Sequence, residues 1–445
     1  MRICVLGLGY IGLPTALLLS RSFDVYGCDI NEDVVGKINN KILPFVEPGL
    51  DDLLRESEIK AEVHPVESDA FVICVPTPFD KELKMADLGF VVNAAKSIVP
   101  HLRKGNLIII ESTITPGTCE KIIIPIIEKS GLRVGVDIFL SHCPERAIPG
   151  KTLIEMVNNS RVIGGIDKIS SDKAEEIYRS FVKGEIFKTN IRTAEFVKLM
   201  ENTYRDVNIA LANEFAILSE EVGINAWEAI ELANKHPRVS ILSPGPGVGG
   251  HCIAIDPWFL TESTINARII STAREINDEM PAFILSKIKA ILYEHDISSP
   301  NISILGVAYK GNIDDTRETP AIKLIKLCER EGWNIKVHDP HVTKFEYPLM
   351  QLEESVRESD IIIIETDHGE FSHLDAHCIS TLVRNKIVLD LRNVLNYEEF
   401  LKEGFLVRRL GEPAGRMGNK PLRLSPTLES SSMRDGINEE LSIGS

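Results

Sequence analysis

The chain has 445 residues, 44% of them apolar, and a formal net charge of −16. That length points to two or three domains with real cores, and the charge argues against generic binding to nucleic acid or to an anionic membrane surface. Eight cysteines with no C-x-x-C pair and no zinc spacing argue against a disulfide framework and against a metal site. No apolar run reaches about 18 residues and no signal-type segment follows Met1, so a soluble cytoplasmic protein is expected.

Residues 2–6 read as an apolar strand that runs into Gly7-Leu8-Gly9-Tyr10-Ile11-Gly12. Residues 13–20 read as a helix, with Pro14 tolerated in its first turn. Residues 23–28 read as the next strand, and Asp29 ends it. This is a G-x-G-x-x-G in its required context. Gly7 makes the tight turn, Gly9 lets the backbone approach a pyrophosphate, and Gly12 lets the helix pack on the strand. The phosphates belong at the helix N-terminus, beside Tyr10 and Ile11. Asp29 would bond ribose hydroxyls and repel a 2′-phosphate, which favours NAD over NADP.

Further strands are expected at 71–75, 107–111 and 138–142. They end near Thr77, at Thr113, and at Glu145 with Arg146. In an open parallel sheet, ligands lie beyond the carboxyl ends of the strands. Ordinary turn chemistry also accounts for any one of these residues taken singly.

From 193 to 222 the pattern becomes one long helix without Gly or Pro. Phe196, Leu199, Met200, Val207, Leu211, Phe215 and Leu218 supply its apolar side. Lys198, Asn202 and Arg205 are spaced i, i+4, i+7 and share a second stripe. An Asn between two cations suits an anionic or carbonyl group, although a solvated polar face has the same spacing. Residues 234–238, NKHPR, follow, with His236 and Arg238. Then comes SPGPGVGGHCIAIDPWF at 243–259. Gly245, Gly247, Gly249 and Gly250 allow positive φ and close approach to a ligand. A lone thiol, Cys252, stands beside His251 and before Asp256, which is the set that covalent catalysis by a thiolate requires. A tight turn with a small buried Cys is the structural alternative. Residues 263–295 are helix-rich and amphipathic, suited to a partner-chain surface or to a link between domains.

A second βαβ region begins at 301–306, with strands expected at 335–338, 361–365 and 387–391. Its first turn, Gly306-Val307-Ala308-Tyr309-Lys310-Gly311, lacks the full fingerprint, so only the first region should hold a whole dinucleotide. Lys310, Arg317 and Arg392 at loop positions suit a nucleotide diphosphate, or simply solubility. Past Gly411 the chain is rich in Gly, Pro, Ser and charge and is expected to be largely disordered.

In order, the chain carries GLGYIGLP, VPTP, ESTITPGT, PERAIPG, EFVKLMENTYRDVN, GPGVGGHC followed by D, YKGNIDDTRETP and LDLRN. Over roughly residues 1–410 this set resembles the UDP-glucose/GDP-mannose dehydrogenase family. The resemblance implies an α/β protein: an N-terminal Rossmann NAD domain at 1–190, a central long-helix dimerisation region at 191–295, a Rossmann-like UDP-binding domain at 296–411, and a tail at 412–445. It also implies an NAD-dependent enzyme that oxidises the C6 alcohol of a nucleotide sugar twice, to a carboxylate, through a thiohemiacetal and a thioester on Cys252.

The remaining roles also come from the resemblance. Lys198 and Asn202 would stabilise oxyanions, and Lys198 would lower the thiol pKa. Asp256 would activate water, Glu145 is a second acid–base candidate, and Thr113 would orient a water or the alcohol. Arg146, Ala147, Arg205, His236, Arg238 and Gly249 would meet the sugar nucleotide. Tyr309, Lys310 and Arg392 would reach the uridine diphosphate, and Arg317 would lie close to the nicotinamide. A homodimer with shared sites is implied, in which Arg238, Tyr309 or Lys310 act in trans. Residues 142–150 and HCIAIDPWF resemble the branch acting on UDP-N-acetyl-D-mannosamine. Pro149 and Ile255 stand where the UDP-glucose branch has Glu and Lys. UDP-N-acetylglucosamine or UDP-glucose as substrate, a single-hydride β-hydroxyacid dehydrogenase, and an inactive NAD-binding regulator are the alternatives.

Overall fold

The central strands of both sheets are near-continuous apolar runs, AFVI at 70–73, LIII at 107–110, IIII at 361–364 and IVLD at 387–390, the pattern of sheets buried on both faces. In the computed structural model, residues 1–80, 85–148, 150–262, 264 and 266–413 are described. Pro149 and nearly all of the tail lie outside the described residues.

The first sheet is built from β1 (Arg2–Leu6), β2 (Asp24–Cys28), β3 (Lys60–Glu62) and β4 (Ala70–Ile73). A small hairpin, β5 (Phe79–Asp80) and β6 (Met85–Ala86), stands apart from it. The sheet continues with β7 (Leu107–Ile110), β8 (Phe139–His142), β9 (Arg161–Gly165) and β10 (Ile186–Asn190), in the order β10-β9-β8-β7-β4-β1-β2-β3. Its first six strands have the doubly wound dinucleotide order, and the switch point falls between β1 and β4. Only the β8–β9 junction is antiparallel. Alternate residues feed two cores: Ile3, Val5, Val72 and Ile109 on one face, Cys4, Leu6, Phe71 and Ile108 on the other.

The long helix runs Ile191–Val222, capped by Asn190, whose side chain accepts from the Thr193 N–H, and closed by Gly223 at φ 80°. It divides the expected apolar side into two rows. Phe196, Met200, Tyr204, Leu211, Phe215 and Leu218 are exposed, whereas Leu199 packs with Ile255, Phe259 and Leu260. The helix-rich stretch after the glycine loop is a second long helix, Arg268–Glu294, laid along the first. A buried polar ladder fixes their register: Arg274 to Asp206 at 2.5 Å, Asn277 to Asp206 at 2.8 Å, and Asn213 to Asn277 at 2.9 Å.

The second sheet comprises β11 (Asn301–Leu305), β12 (Asn334–His338), β13 (Ile361–Ile364), β14 (Ile387–Asp390) and β15 (Leu406–Arg409). Its order is β12-β11-β13-β14-β15, parallel throughout. The turns that open the two sheets repeat one construction. Gly7 and Gly306 take φ of 87° and 90°, and their N–H groups donate to Cys28 and His338 carbonyls, each at 2.8 Å. An aspartate then accepts the next amide: Asp29 from Leu8 at 2.8 Å, Asp339 from Val307 at 2.7 Å. Among the described residues, no helix is long and apolar enough to cross a membrane.

A Cβ added to Gly12 would lie 1.7 Å from the Gly7 carbonyl oxygen, whereas one added to Gly9 meets nothing within 4 Å. Gly12→Ala should therefore lower Tm by roughly 5–10 °C and Gly9→Ala far less, as read by thermal denaturation. Equal losses would contradict this reading of the turn.

Candidate active site

The central helix aims Lys198, Asn202 and Arg205 at one place, as the i, i+4, i+7 spacing requires. Lys198 and Asn202 are buried. The Arg205 guanidinium donates to Asn202 Oδ1, and Asn202 Nδ2 donates to Asp256. Asp256 opens the short helix Asp256–Thr261, and its N–H donates to the Cys252 carbonyl at 2.8 Å. Arg205, Asn202, Asp256 and the Cys252 backbone thus form one hydrogen-bonded chain. No hydrogen bond engages the Lys198 ammonium among the described residues, but its charge acts on both Cys252 and Asp256.

The glycines of the Cys252 loop take the expected positive φ at Gly247 (129°) and Gly250 (83°), and they also face the C-terminal domain. A Cβ on Gly249 would meet Tyr309 Cβ at 2.7 Å and the Glu318 carbonyl at 2.8 Å. One on Gly250 would meet the Tyr309 ring at 2.9 Å, and one on Gly245 would meet Arg392 at 2.6 Å. The loop is bare because the C-terminal domain lies on it. The Gly250 N–H also donates to the Arg317 carbonyl at 2.9 Å.

Burial raises the Asp256 pKa to about 6, against the pull of Lys198, Asn202 and Arg205. The Cys252 thiol does not show the net lowering expected of it. Surrounding protein pushes it up and Asp256 adds to this, while Lys198, Arg317 and Arg205 only partly offset the rise. The Cys252 side chain is open to solvent on one side, which moderates that push. Burial keeps His251 below its ordinary range, with Arg317 adding to the effect, so its ring is neutral near pH 7.

Glu145 lies in a different group. It accepts from Arg161 and from the Arg146 and Ala147 amides, the latter two at 2.7 and 2.9 Å. Arg161 also faces Glu111 at 3.4 Å, and Glu111 accepts from Tyr178 at 2.6 Å, Cys74 at 3.0 Å and Thr15 at 3.1 Å. Nothing in the sequence joined these residues, because Arg161 and Tyr178 lie far along the chain from Thr15 and Cys74. Arg146 ties this group to the central helix by its 2.5 Å ion pair with Glu201.

The other expected residues divide as follows. Tyr309 and Arg317 sit against the Cys252 group. Arg317 also reaches the N-terminal domain, its guanidinium 5.6 Å from the centre of the Tyr10 ring. Thr77 is buried and Thr113 half-buried, and Ser112 Oγ donates to the Val75 carbonyl at 2.6 Å between their loops. Gly249 is buried, Ile11 is half-buried and Tyr10 is exposed. His236, Arg238 and Lys310 are exposed and stand outside the cluster. Arg392 lies beneath the loop and donates to the Glu365 carbonyl at 3.0 Å. The buried Glu365 carboxyl group, missed in the sequence, has no hydrogen-bond partner among the described residues and is pushed by burial to about 8. A cavity of about 440 Å³ beside the loop is lined by Pro78, Phe79, His251, Trp258, Arg317 and Lys323, among others, so residues from both sheet domains and the central part meet in it.

The first turn fits a dinucleotide: Gly7 and Gly12 are closed by neighbours, Gly9 faces open space, and the helix Gly12–Ser20 starts there. Asp29 holds the Leu8 and Asn31 amides at 2.8 and 2.9 Å, which fixes that turn. Fold and site together define an NAD-dependent dehydrogenase with a second, nucleotide-binding domain.

The comparisons with known proteins agree. The NAD-binding, central and UDP-binding domain models of the UDP-glucose/GDP-mannose dehydrogenase family match residues 1–182, 192–279 and 303–397. The chain is 52% identical over 422 residues to a UDP-N-acetyl-D-mannosamine dehydrogenase of Methanocaldococcus jannaschii, covering 92% of this chain and 96% of that protein. It is 49% identical over 424 residues to one from Methanococcus maripaludis, covering 93% and 97%. The solved structure of the Pyrococcus horikoshii UDP-N-acetyl-D-mannosamine dehydrogenase superposes with a TM-score of 0.86 at 44% identity, over 92% and 99% of the two chains. The chain belongs to the UDP-glucose/GDP-mannose dehydrogenase family, and its cofactor is NAD.

The raised Asp256 pKa is also a statement about stability. The folded state binds this proton more tightly than the unfolded chain does, so stability falls as pH rises from about 4 to about 6. Above that window the ionised carboxylate costs about 3 kcal/mol. Asp256→Asn should therefore raise Tm at pH 8 by roughly 5 °C more than at pH 4. A pH-independent effect, measured by differential scanning calorimetry, would contradict the assignment.

Proposed function

We propose that the protein oxidises the C6 hydroxyl of UDP-N-acetyl-D-mannosamine to the carboxylate of UDP-N-acetyl-D-mannosaminuronate, with two NAD per sugar. The observation that carries this reading is the meeting of Cys252 with Lys198, Asn202 and Asp256 on one loop–helix junction. The names of the relatives and the Pro149 and Ile255 differences favour this sugar over UDP-glucose.

NAD, held by the Gly7–Gly12 turn and Asp29, supplies a hydride acceptor. Lys198 and the free hydrogen on Asn202 Nδ2 face the alkoxide as C6 loses its first hydride. Cys252, as the thiolate, adds to the resulting aldehyde and forms a thiohemiacetal, with the oxyanion again on Lys198. Loss of a second hydride leaves a thioester on Cys252. Water activated by Asp256, ionised above pH about 6, attacks the thioester carbonyl. The acid departs and the thiol reforms. Thr113 orients the alcohol or the water. Glu145, engaged by Arg161, acts through the Arg146–Ala147 backbone that it holds beside the sugar.

Arg205 orients Asn202. Tyr309, Lys310 and Arg392 serve the diphosphate side, and Arg317 serves the nicotinamide side. The exposed row Phe196, Met200, Tyr204, Leu211, Phe215 and Leu218 supports a homodimer along the central helix. Exposed His236 and Arg238 then act on the partner's site. A cytoplasmic location fits the free cysteines.

Cys252→Ala should abolish acid formation while the NAD dissociation constant stays within about twofold. A mutant that still makes acid at the wild-type rate sinks the mechanism. Lys198→Ala should lower kcat by ~10²–10³. A kcat/KM panel over UDP-N-acetylmannosamine, UDP-N-acetylglucosamine and UDP-glucose tests the sugar, and a higher value on either of the last two overturns that part alone.

A further inference from the structure

His368 is a fully buried ionisable side chain that the proposed chemistry leaves without a role. It follows β13, at the carboxyl end of the second sheet. In the order β12-β11-β13-β14-β15, the switch point lies between β11 and β13. The loop Gly306–Gly311 leaves β11 at that point and carries Tyr309 and Lys310.

Both imidazole nitrogens are engaged. Nδ1 accepts the Asn312 N–H at 3.0 Å, so the ring proton is on Nε2, and Nε2 donates to Asp339 Oδ2 at 3.0 Å. The same Asp339 oxygen accepts the Val307 and Ala308 amides at 2.7 and 3.1 Å. Its other oxygen accepts from His341 and Val342, each at 2.9 Å. Burial alone would raise the Asp339 pKa, but the His368 bond and these amides hold it well below the usual carboxylate range. One imidazole therefore ties the start of the loop, through Asp339, to its end, through Asn312.

Neighbouring bonds extend the tie. Thr366 Oγ1 donates to the Ala308 carbonyl at 2.7 Å, Gly311 N–H to Asp367 at 3.1 Å, and Gly369 N–H to Asn312 Oδ1 at 2.9 Å. Asn312 takes φ 62°, a conformation that needs such support. Between the two anchors, Tyr309 projects onto Gly249 and Gly250, two residues before Cys252. His341 stacks on His368 at 4.7 Å, and with Glu370 the donors lie within 4.8 Å of one another. A cation there would have to displace Asp339 or Asn312 from His368, so the geometry favours a hydrogen-bonded clamp.

We infer that His368 is a positioning residue: with Asp339 it clamps the Gly306–Asn312 loop and so sets Tyr309 and Lys310 for the uridine diphosphate of the substrate. The inference rests on the proposed role of Tyr309 and Lys310 and goes beyond it by naming what holds them.

The test uses the full chain and UDP as probe. His368→Asn keeps an acceptor near Nδ1 for Asn312. His368→Gln keeps a donor near Nε2 for Asp339. Each variant loses one of the two bonds. Calorimetric titration should show UDP binding weakened about tenfold in both, the size of one lost buried hydrogen bond. KM for the sugar nucleotide should rise in step, while kcat moves by less than about threefold and NAD affinity is unchanged. UDP affinity at the wild-type value in variants that melt cooperatively overturns the inference alone. A wild-type protein that does not bind UDP overturns the underlying reading and the inference with it. Should neither variant fold, amide hydrogen exchange on the wild type decides. UDP must slow exchange at Val307, Ala308 and Asn312, and unchanged rates there overturn the clamp.

Discussion

The contact of Tyr309 with Gly249 and Gly250 is the constraint on which the site depends. A Cβ at either glycine would overlap Tyr309, so the loop that carries Cys252 keeps its path only with the C-terminal domain packed on it. The same loop passes directly into the helix that starts at Asp256, and Asp256 bonds to Asn202 of the central helix. Cys252, Asp256 and Asn202 are therefore positioned by two domains at once. Arg317 extends the arrangement to the third, because the residue whose carbonyl accepts from Gly250 also lays its guanidinium against Tyr10. The Gly7–Gly12 turn, the Cys252 loop and the Gly306–Gly311 loop meet at this one place.

Electrostatics in the site work against the reactive forms. Burial raises both Cys252 and Asp256. The cations Lys198 and Arg205 pull both back, and Arg317 adds its pull on Cys252. Asp256, raised to about 6, stands near the protonation balance in which acid–base groups are most useful near neutral pH, whereas the Cys252 thiol stays above its ordinary value. The proposed chemistry needs Cys252 as a thiolate when the aldehyde arrives and as a leaving group when water attacks.

Much of this was legible in the sequence. The G-x-G-x-x-G with its strand, helix and Asp29 is a local device, and its physics lies within 30 residues. The Lys198–Asn202–Arg205 stripe followed from helical periodicity, and the α/β alternation followed from apolar runs. The parts that escaped are non-local or short. The strands β3, β9, β10 and β15 are edge or near-edge strands with little apolar signal, and the antiparallel β8–β9 step has no sequence mark. The Glu111–Glu145–Arg161–Tyr178 network and the His368–Asp339 bond join residues far apart in the chain. The reason for the bare glycine loop escaped as well, because it lies in Tyr309, about sixty residues downstream.

In the proposed chemistry Cys252 holds an aldehyde between two oxidations at a junction of three domains. The most direct measurement is the number of NADH formed per sugar nucleotide consumed, followed by absorbance with the product acid quantified in the same sample. Two NADH for each acid is the predicted result. One NADH per sugar, with free aldehyde released, would contradict it and leave Cys252 without the covalent part assigned to it.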